Sequence, residues 1–251
     1  MLKSFLFKDK EVKYQKLGSA ETVIMLVHGF PEDGSIFKYQ YEFLQENYTV
    51  LIPDLPGSGK SYYNEELKSV EDFAMVLEGI LKEEEVGQCF LLGHSMGGYI
   101  ALAFAEKFPE QLLGLGLIHS TAFADSEEKK ENRKHAIQIM EQYGSFQFLR
   151  TVIPTLFGEQ FKVHHPAVIE QLVEQGKNFE TKALQQYYAI MILRPDRSNV
   201  LKEINVPVLF IIGQLDKVVP PTDVLQQIAL PNTAMVKILP NAAHMGFLEE
   251  R

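Results

Sequence analysis

Short apolar runs rich in β-branched residues recur along the chain and predict strands over residues 22–28, 48–53, 88–93, 112–119, 207–213 and 234–239. Two of these runs, Val23-Ile24-Met25-Leu26-Val27 and Val208-Leu209-Phe210-Ile211-Ile212, are apolar at every position. A strand without a polar face suits a sheet covered on both sides, and such sheets are mostly parallel. Residues 2–7 and 11–17 are expected to form an antiparallel hairpin ahead of it. Helical patterns fall between the strands. Ser69-Val70-Glu71-Asp72 reads as a capping box, followed at helical spacing by Phe73, Val76, Leu77 and Ile80. A second helix is expected to open at Ser95 and run to about Lys107, stopped by Pro109. Alternating strands and helices predict an α/β fold with a parallel sheet.

The alternation stops between residues 121 and 196, where the pattern is helical only: 127–143, 146–157, 166–176 and 181–193. About 75 residues far exceed the few that join elements in ordinary α/β units. The block therefore reads as an all-helical insertion, a cap, inside a core made of residues 1–120 and 197–251.

Composition narrows the function classes. The net charge is −9 with no basic run, which argues against nucleic acid or an anionic membrane as partner. No apolar stretch is long enough for a membrane span or a signal peptide, so a cytoplasmic protein is expected. The single cysteine, Cys89, lies in an apolar run and reads as a small buried hydrophobe.

The strongest chemical signal is Gly93-His94-Ser95-Met96-Gly97-Gly98, a G-x-S-x-G motif with a predicted strand before it and a predicted helix after it. A strand that turns sharply into a helix holds its serine in a strained conformation at the strand end, clear of the backbone. A serine hydroxyl needs a base. Of the seven histidines, His244 follows the last predicted strand, on a loop at the same sheet edge as the elbow. His28 and His94 sit within other motifs, His135 on a charged helix, and His164-His165 on the cap surface. His119 ends a strand at the same edge and is expected either to line the pocket or to be a structural histidine. The base needs an acid to fix its tautomer. Asp216, three residues past the 207–213 strand, fills that place, with Asp125 as the runner-up. Asp54, in Asp54-Leu55-Pro56-Gly57-Ser58-Gly59, reads as a residue tying its own turn together. Oxyanion donors are expected from the backbone N–H of Met96 and of Phe30, in His28-Gly29-Phe30-Pro31. Tyr187 and Met191 of the insertion are candidates, with His119, for the substrate pocket.

These stretches resemble the α/β-hydrolase superfamily, in its group with a helical cap. The resemblance rests on His28–Pro31, the Asp54–Ser61 turn, the Gly93–Gly98 elbow, Gly213–Pro220 and the run around His244. It implies an eight-stranded, mostly parallel sheet flanked by helices, with a triad of Ser95, Asp216 and His244 and an oxyanion hole of Phe30 and Met96. Serine at the elbow sets the chain apart from the dehalogenases and epoxide hydrolases of this fold, which use aspartate there. Members of the superfamily usually continue past the histidine into a last helix, which is expected here to be either missing or only begun over 246–251. The expected activity is hydrolysis of a carboxylic ester or thioester of a small-molecule acyl substrate through an acyl-enzyme on Ser95, without metal or organic cofactor. A C–C bond hydrolase or lyase on the same triad, and a ligand receptor with little turnover, are the alternatives. The sequence is silent on oligomeric state.

Overall fold

The computed structural model describes residues 1–251. Its strands are β1 (Leu2–Phe7), β2 (Lys10–Leu17), β3 (Val23–Val27), β4 (Thr49–Pro53), β5 (Cys89–His94), β6 (Leu112–Ile118), β7 (Val208–Gly213) and β8 (Ala234–Leu239). They form one eight-stranded sheet in the order β1-β2-β4-β3-β5-β6-β7-β8. β1 and β2 are the expected antiparallel hairpin, and β2 also runs antiparallel to β4. The remaining pairs are parallel, so the C-terminal ends of β3 to β8 emerge along one edge. Register keeps those ends level: Val27 pairs with Gly93, His94 with Ile118, and Gly213 with Leu239.

The helices are α1 (Lys38–Leu44), α2 (Val70–Glu83), α3 (Met96–Lys107), α4 (Glu127–Tyr143), α5 (Ser145–Val152), α6 (Glu159–His164), α7 (Pro166–Gln175), α8 (Thr181–Leu193), α9 (Ser198–Glu203), α10 (Pro221–Leu225) and α11 (Gly246–Glu249). α2 starts with the predicted box: Ser69 Oγ accepts the Asp72 N–H at 3.2 Å, and Asp72 Oδ2 accepts the Ser69 N–H at 3.0 Å. α3 is apolar around its whole circumference, with every residue from Met96 to Ala105 buried beside the sheet. Cys89 is buried, and burial pushes its thiol up to about 12.

Three expectations are corrected. The helix expected over 146–157 breaks after Val152 into a 3-10 turn at Ile153–Leu156, where Pro154 has no N–H to continue the ladder. The elbow helix begins at Met96, with Ser95 preceding it. The run Val208–Ile212 is not covered on both faces. Leu209 and Ile211 are half-buried, and Leu209 joins Ile24, Phe90, Leu92 and Met235 along an open apolar groove of about 220 Å³. α1, α6, α9 and α10 were not foreseen; each is seven residues or shorter, too short for a clear period.

Between β6 and β7 the chain forms only helices. This block is fastened to the strand-end loops by buried polar contacts. Tyr187 OH donates to Pro56 O at 3.0 Å and also approaches Leu55 O at 3.3 Å, while Gln186 Nε2 donates to the carbonyls of Asn64 and Leu67, each at 2.7 Å. No helix of the chain is long and apolar enough to cross a membrane.

Candidate active site

Ser95 sits between β5 and α3 with φ 49° and ψ −115°, a region that non-glycine residues enter only when their surroundings force them. The force here is steric. A Cβ on Gly93 would stand 2.2 Å from Gly97 O, and one on Gly97 would stand 2.3 Å from Val27 O. Glycines on either side let the three backbones cross. The Ser95 N–H donates to Ile118 O at 2.9 Å, and its carbonyl accepts the Ser120 hydroxyl at 2.8 Å, so the turn is held from the neighbouring strand. The Ser95 side chain itself makes no hydrogen bond within the protein.

His244 and Asp216 meet at this edge from the ends of β8 and β7. His244 Nδ1 donates to Asp216 Oδ2 at 2.8 Å, which leaves Nε2 as the free ring nitrogen. Asp216 accepts three more N–H groups. Oδ1 takes those of Val218 and Val219 at 2.8 and 2.9 Å, and Oδ2 lies 3.3 Å from His119 Nδ1. His119 Nε2 accepts the Gly246 N–H at 3.2 Å, so Nδ1 carries the proton of that ring. Burial alone would raise the Asp216 pKa. The His244 charge and the hydrogen bonds from His119 and His244 outweigh it and hold the carboxyl far below the usual range. For His244 burial acts against the charged form, but Asp216 prevails and lifts the ring above the ordinary histidine value. His119 is pushed the other way by burial, down to about 4, and stays neutral. His119, Asp216 and His244 thus form a hydrogen-bonded cluster, with both Nδ1 atoms directed at one carboxylate oxygen.

The loop after β3 completes the site. A Cβ on Gly29 would lie 3.0 Å from Ser95 Cβ, so this backbone rides directly over the serine. The Phe30 N–H has no acceptor within the protein. Met96 is the first residue of α3, where N–H groups have no partner inside the helix. Both expected oxyanion donors are therefore free and border Ser95.

Buried Glu32 and His94 and half-buried Glu249, none of them an expected site residue, hold these parts together. Glu32 Oε2 accepts the Gly29 N–H and contacts His94 Nδ1, each at 2.9 Å, tying the β3 loop to the elbow. His94 Nε2 lies 3.0 Å from the carbonyl of His244, bracing the histidine loop from below. Glu249, on α11, accepts the N–H groups of Gly158, Ala243 and Met245 at 2.7, 2.9 and 3.1 Å. With the His244 N–H on Leu156 O at 2.9 Å, the histidine loop is seated against the helical block from both sides. The only sequence sign of Glu32 and Glu249 was a carboxylate next to a motif.

The remaining candidates fall elsewhere. Asp125 is engaged by two arginines, Arg133 Nε at 2.7 Å and Arg194 Nη2 at 3.0 Å, and is not available to a histidine. Asp54 ties its turn as expected, accepting from Gly34 and Lys60. Tyr187, expected on a pocket wall, and His119, expected either there or as a structural histidine, are buried at 0% and 1% exposure with their polar atoms bonded to protein. Met191 is buried on the same helix as Tyr187, α8. Above the site, Tyr188 lies against Phe30 at a ring separation of 4.5 Å and Phe148 meets Tyr188 edge-on at 5.8 Å, an aromatic roof from α5 and α8.

The fold and this arrangement define an α/β hydrolase, of the serine hydrolase and esterase-like superfamily. The chain belongs to the serine aminopeptidase S33 family, which it matches over residues 18–251. It is 26% identical to Lipase 3 of Moraxella sp. (strain TA144), over 96% of this chain and 81% of that one. Similarity of 24% extends to the dihydrolipoyllysine-residue acetyltransferase component of the acetoin cleaving system of Cupriavidus necator; there the match takes in 95% of this chain but only 63% of the relative's length. Among solved structures, a thermophilic esterase from Thermogutta terrifontis, with malate bound, superposes with a TM-score of 0.91 at 30% identity, covering 99% and 92% of the two chains.

Proposed function

We propose that the protein hydrolyses a carboxylic ester or thioester through an acyl-enzyme on Ser95. The observation that carries this reading is the serine forced to a positive φ at a strand end, on the same sheet edge as a histidine whose Nδ1 is bonded to a buried carboxylate. His244 Nε2 takes the Ser95 proton as Oγ attacks the carbonyl carbon. Charge that develops on the carbonyl oxygen is met by the N–H groups of Phe30 and Met96, which have no other acceptor to leave. His244 then gives its proton to the departing alcohol or thiol, and the C–O or C–S bond breaks. A water molecule, deprotonated by the same nitrogen, attacks the acyl carbon and returns Ser95 with release of the acid. Asp216 keeps His244 in the tautomer that can accept and stabilises the imidazolium between the steps. The lipase and esterase among its relatives support an ester as the bond cleaved.

The test is hydrolysis of p-nitrophenyl esters of increasing chain length by the wild type and Ser95→Ala. Loss of about 10⁶-fold in kcat is expected in the variant. Ester hydrolysis that survives Ser95→Ala would refute the mechanism. A wild type inert to every ester would transfer the triad to C–C bond cleavage, a lyase reaction or ligand reception.

A further inference from the structure

We infer that the ester this site takes carries a negative charge, a carboxylate bound by Arg133 at the mouth of the cap. The inference rests on the hydrolase reading above and adds the class of substrate to it. Its basis is an unbalanced cluster of charge in a chain that is otherwise acidic. A cleft of about 350 Å³ opens between α4, α5, α8 and the loop after Asp216. Lys129, Arg133 and Lys217 line it, and no carboxylate does. The acid paired with Arg133, Asp125, has one oxygen on Arg133 Nε and the other on Arg194 Nη2. One carboxylate between two guanidiniums leaves a surplus positive charge.

That surplus resides on Arg133. Arg194 is 4% exposed and its terminal nitrogens are committed to Met191 O, Phe123 O and Asp125. Arg133 has only Nε bonded, and its two terminal nitrogens make no hydrogen bond within the protein. The guanidinium is held in place by Asp125 behind it and by the Tyr188 ring, 5.1 Å away. A fixed guanidinium edge with both terminal N–H groups free matches the two oxygens of a carboxylate. Lys217, exposed beside the cleft, and Lys129, whose Nζ lies 3.4 Å from Val218 O, add to the field at the entrance.

The cleft is joined to the loops around Ser95 and His244 through its lining residues. Tyr188, under Arg133, lies on Phe30, whose N–H is an oxyanion donor and whose neighbour Gly29 rides over Ser95. On the opposite side, Val218 donates to Asp216 Oδ1. A substrate with its carbonyl at Ser95 and a short apolar spacer along Tyr188 and Phe148 would bring a terminal carboxylate to Arg133.

The experiment compares charged esters with neutral ones of equal length by pH-stat: monomethyl glutarate against methyl pentanoate, and 4-acetoxybutyrate against butyl acetate. The two pairs place the carboxylate on the acyl and on the alcohol side. At least one charged ester is expected to exceed its neutral partner in kcat/KM by about 10- to 100-fold, the range of a charge-assisted hydrogen-bonded pair. Arg133→Met should erase that preference and leave the neutral esters within about threefold, Arg133→Lys should restore part of it, and Lys217→Gln should lower it less. Added salt should weaken the preference in the wild type. Neutral esters cleaved as fast as charged ones, or Arg133→Met slowing both alike, would overturn the inference. If no ester of either kind is cleaved, the hydrolase reading falls and the charge reading is decided separately: glutarate should raise the thermal midpoint of the wild type and not of Arg133→Met, and no shift in the wild type overturns it.

Discussion

Asp216→Asn separates the electrostatic role of this carboxylate from its shape. The aspartate accepts four N–H groups: Val218 and Val219 on Oδ1, His244 and His119 on Oδ2. An asparagine keeps its oxygen for the two backbone groups and turns an NH2 toward the histidines, so donor faces donor. His119 cannot give way by changing tautomer, because its Nε2 already accepts the Gly246 N–H. His244 must therefore carry its proton on Nε2, the nitrogen that in the proposed mechanism receives the proton of Ser95. The tautomer is wrong for catalysis and the imidazolium loses its counter-charge. In triads of this design such a change costs about 10⁴-fold in kcat, or about 5.5 kcal/mol in the barrier. Asp125 cannot substitute, since both its oxygens are taken by arginine. The assay is ester hydrolysis with the thermal midpoint measured on the same preparation. His119→Phe serves as contrast, because it removes the 3.3 Å contact to Asp216 and the acceptor of the Gly246 N–H but leaves the Asp216 carboxylate on His244 Nδ1, and should cost less than about tenfold in kcat. A folded Asp216→Asn variant that retains activity within tenfold of the wild type would refute the assignment of Asp216 as the orienting acid.

Other consequences follow from the same geometry. His244 must be neutral to accept a proton and its pKa is raised by Asp216, so kcat/KM should rise with pH along a limb centred above 6.5; a midpoint below 6 would contradict it. Folding lowers the Asp216 pKa from 3.8, so its stabilisation is fully present above that pH and is lost as pH falls below it; acid unfolding should be less steep in Asp216→Asn, and an unchanged curve would count against the linkage. Gly97→Ala puts a methyl 2.3 Å from Val27 O and 2.6 Å from His28 O, between two backbones that cannot part. It should cost about 3 kcal/mol and lower the midpoint by about 6–12 °C, and an unaltered midpoint would show that the elbow tolerates a side chain. Tyr187→Phe removes the hydroxyl bonded to Leu55 O and Pro56 O and should cost about 1–2 kcal/mol with little change in KM; a large KM effect in calorimetrically normal protein would return Tyr187 to the pocket wall.

Much of the architecture was legible in the sequence because it rests on local pattern. Unbroken apolar runs such as Val23–Val27 mark strands inside a parallel sheet, and a parallel sheet carries the loops of His28–Pro31, Ser95, Asp216 and His244 to one edge whatever the details of packing. The glycines at 93 and 97 announce the elbow, since only they allow three backbones to cross. The rest depends on which residues meet across long stretches of chain. Glu32 is separated from His94 by 62 positions, His119 from Asp216 by 97, and Gly158 from Glu249 by 91. Nothing in the neighbours of these residues distinguishes a buried carboxylate gathering N–H groups from one dissolved at the surface. The same holds for Tyr187, whose hydroxyl finds its acceptors at residues 55 and 56, and for Arg133, which a charged helix presents as one more solvated cation. Local pattern determines where the chain turns and which way its strands run; the desolvation of a charge and the identity of its partner exist only once distant segments are packed together.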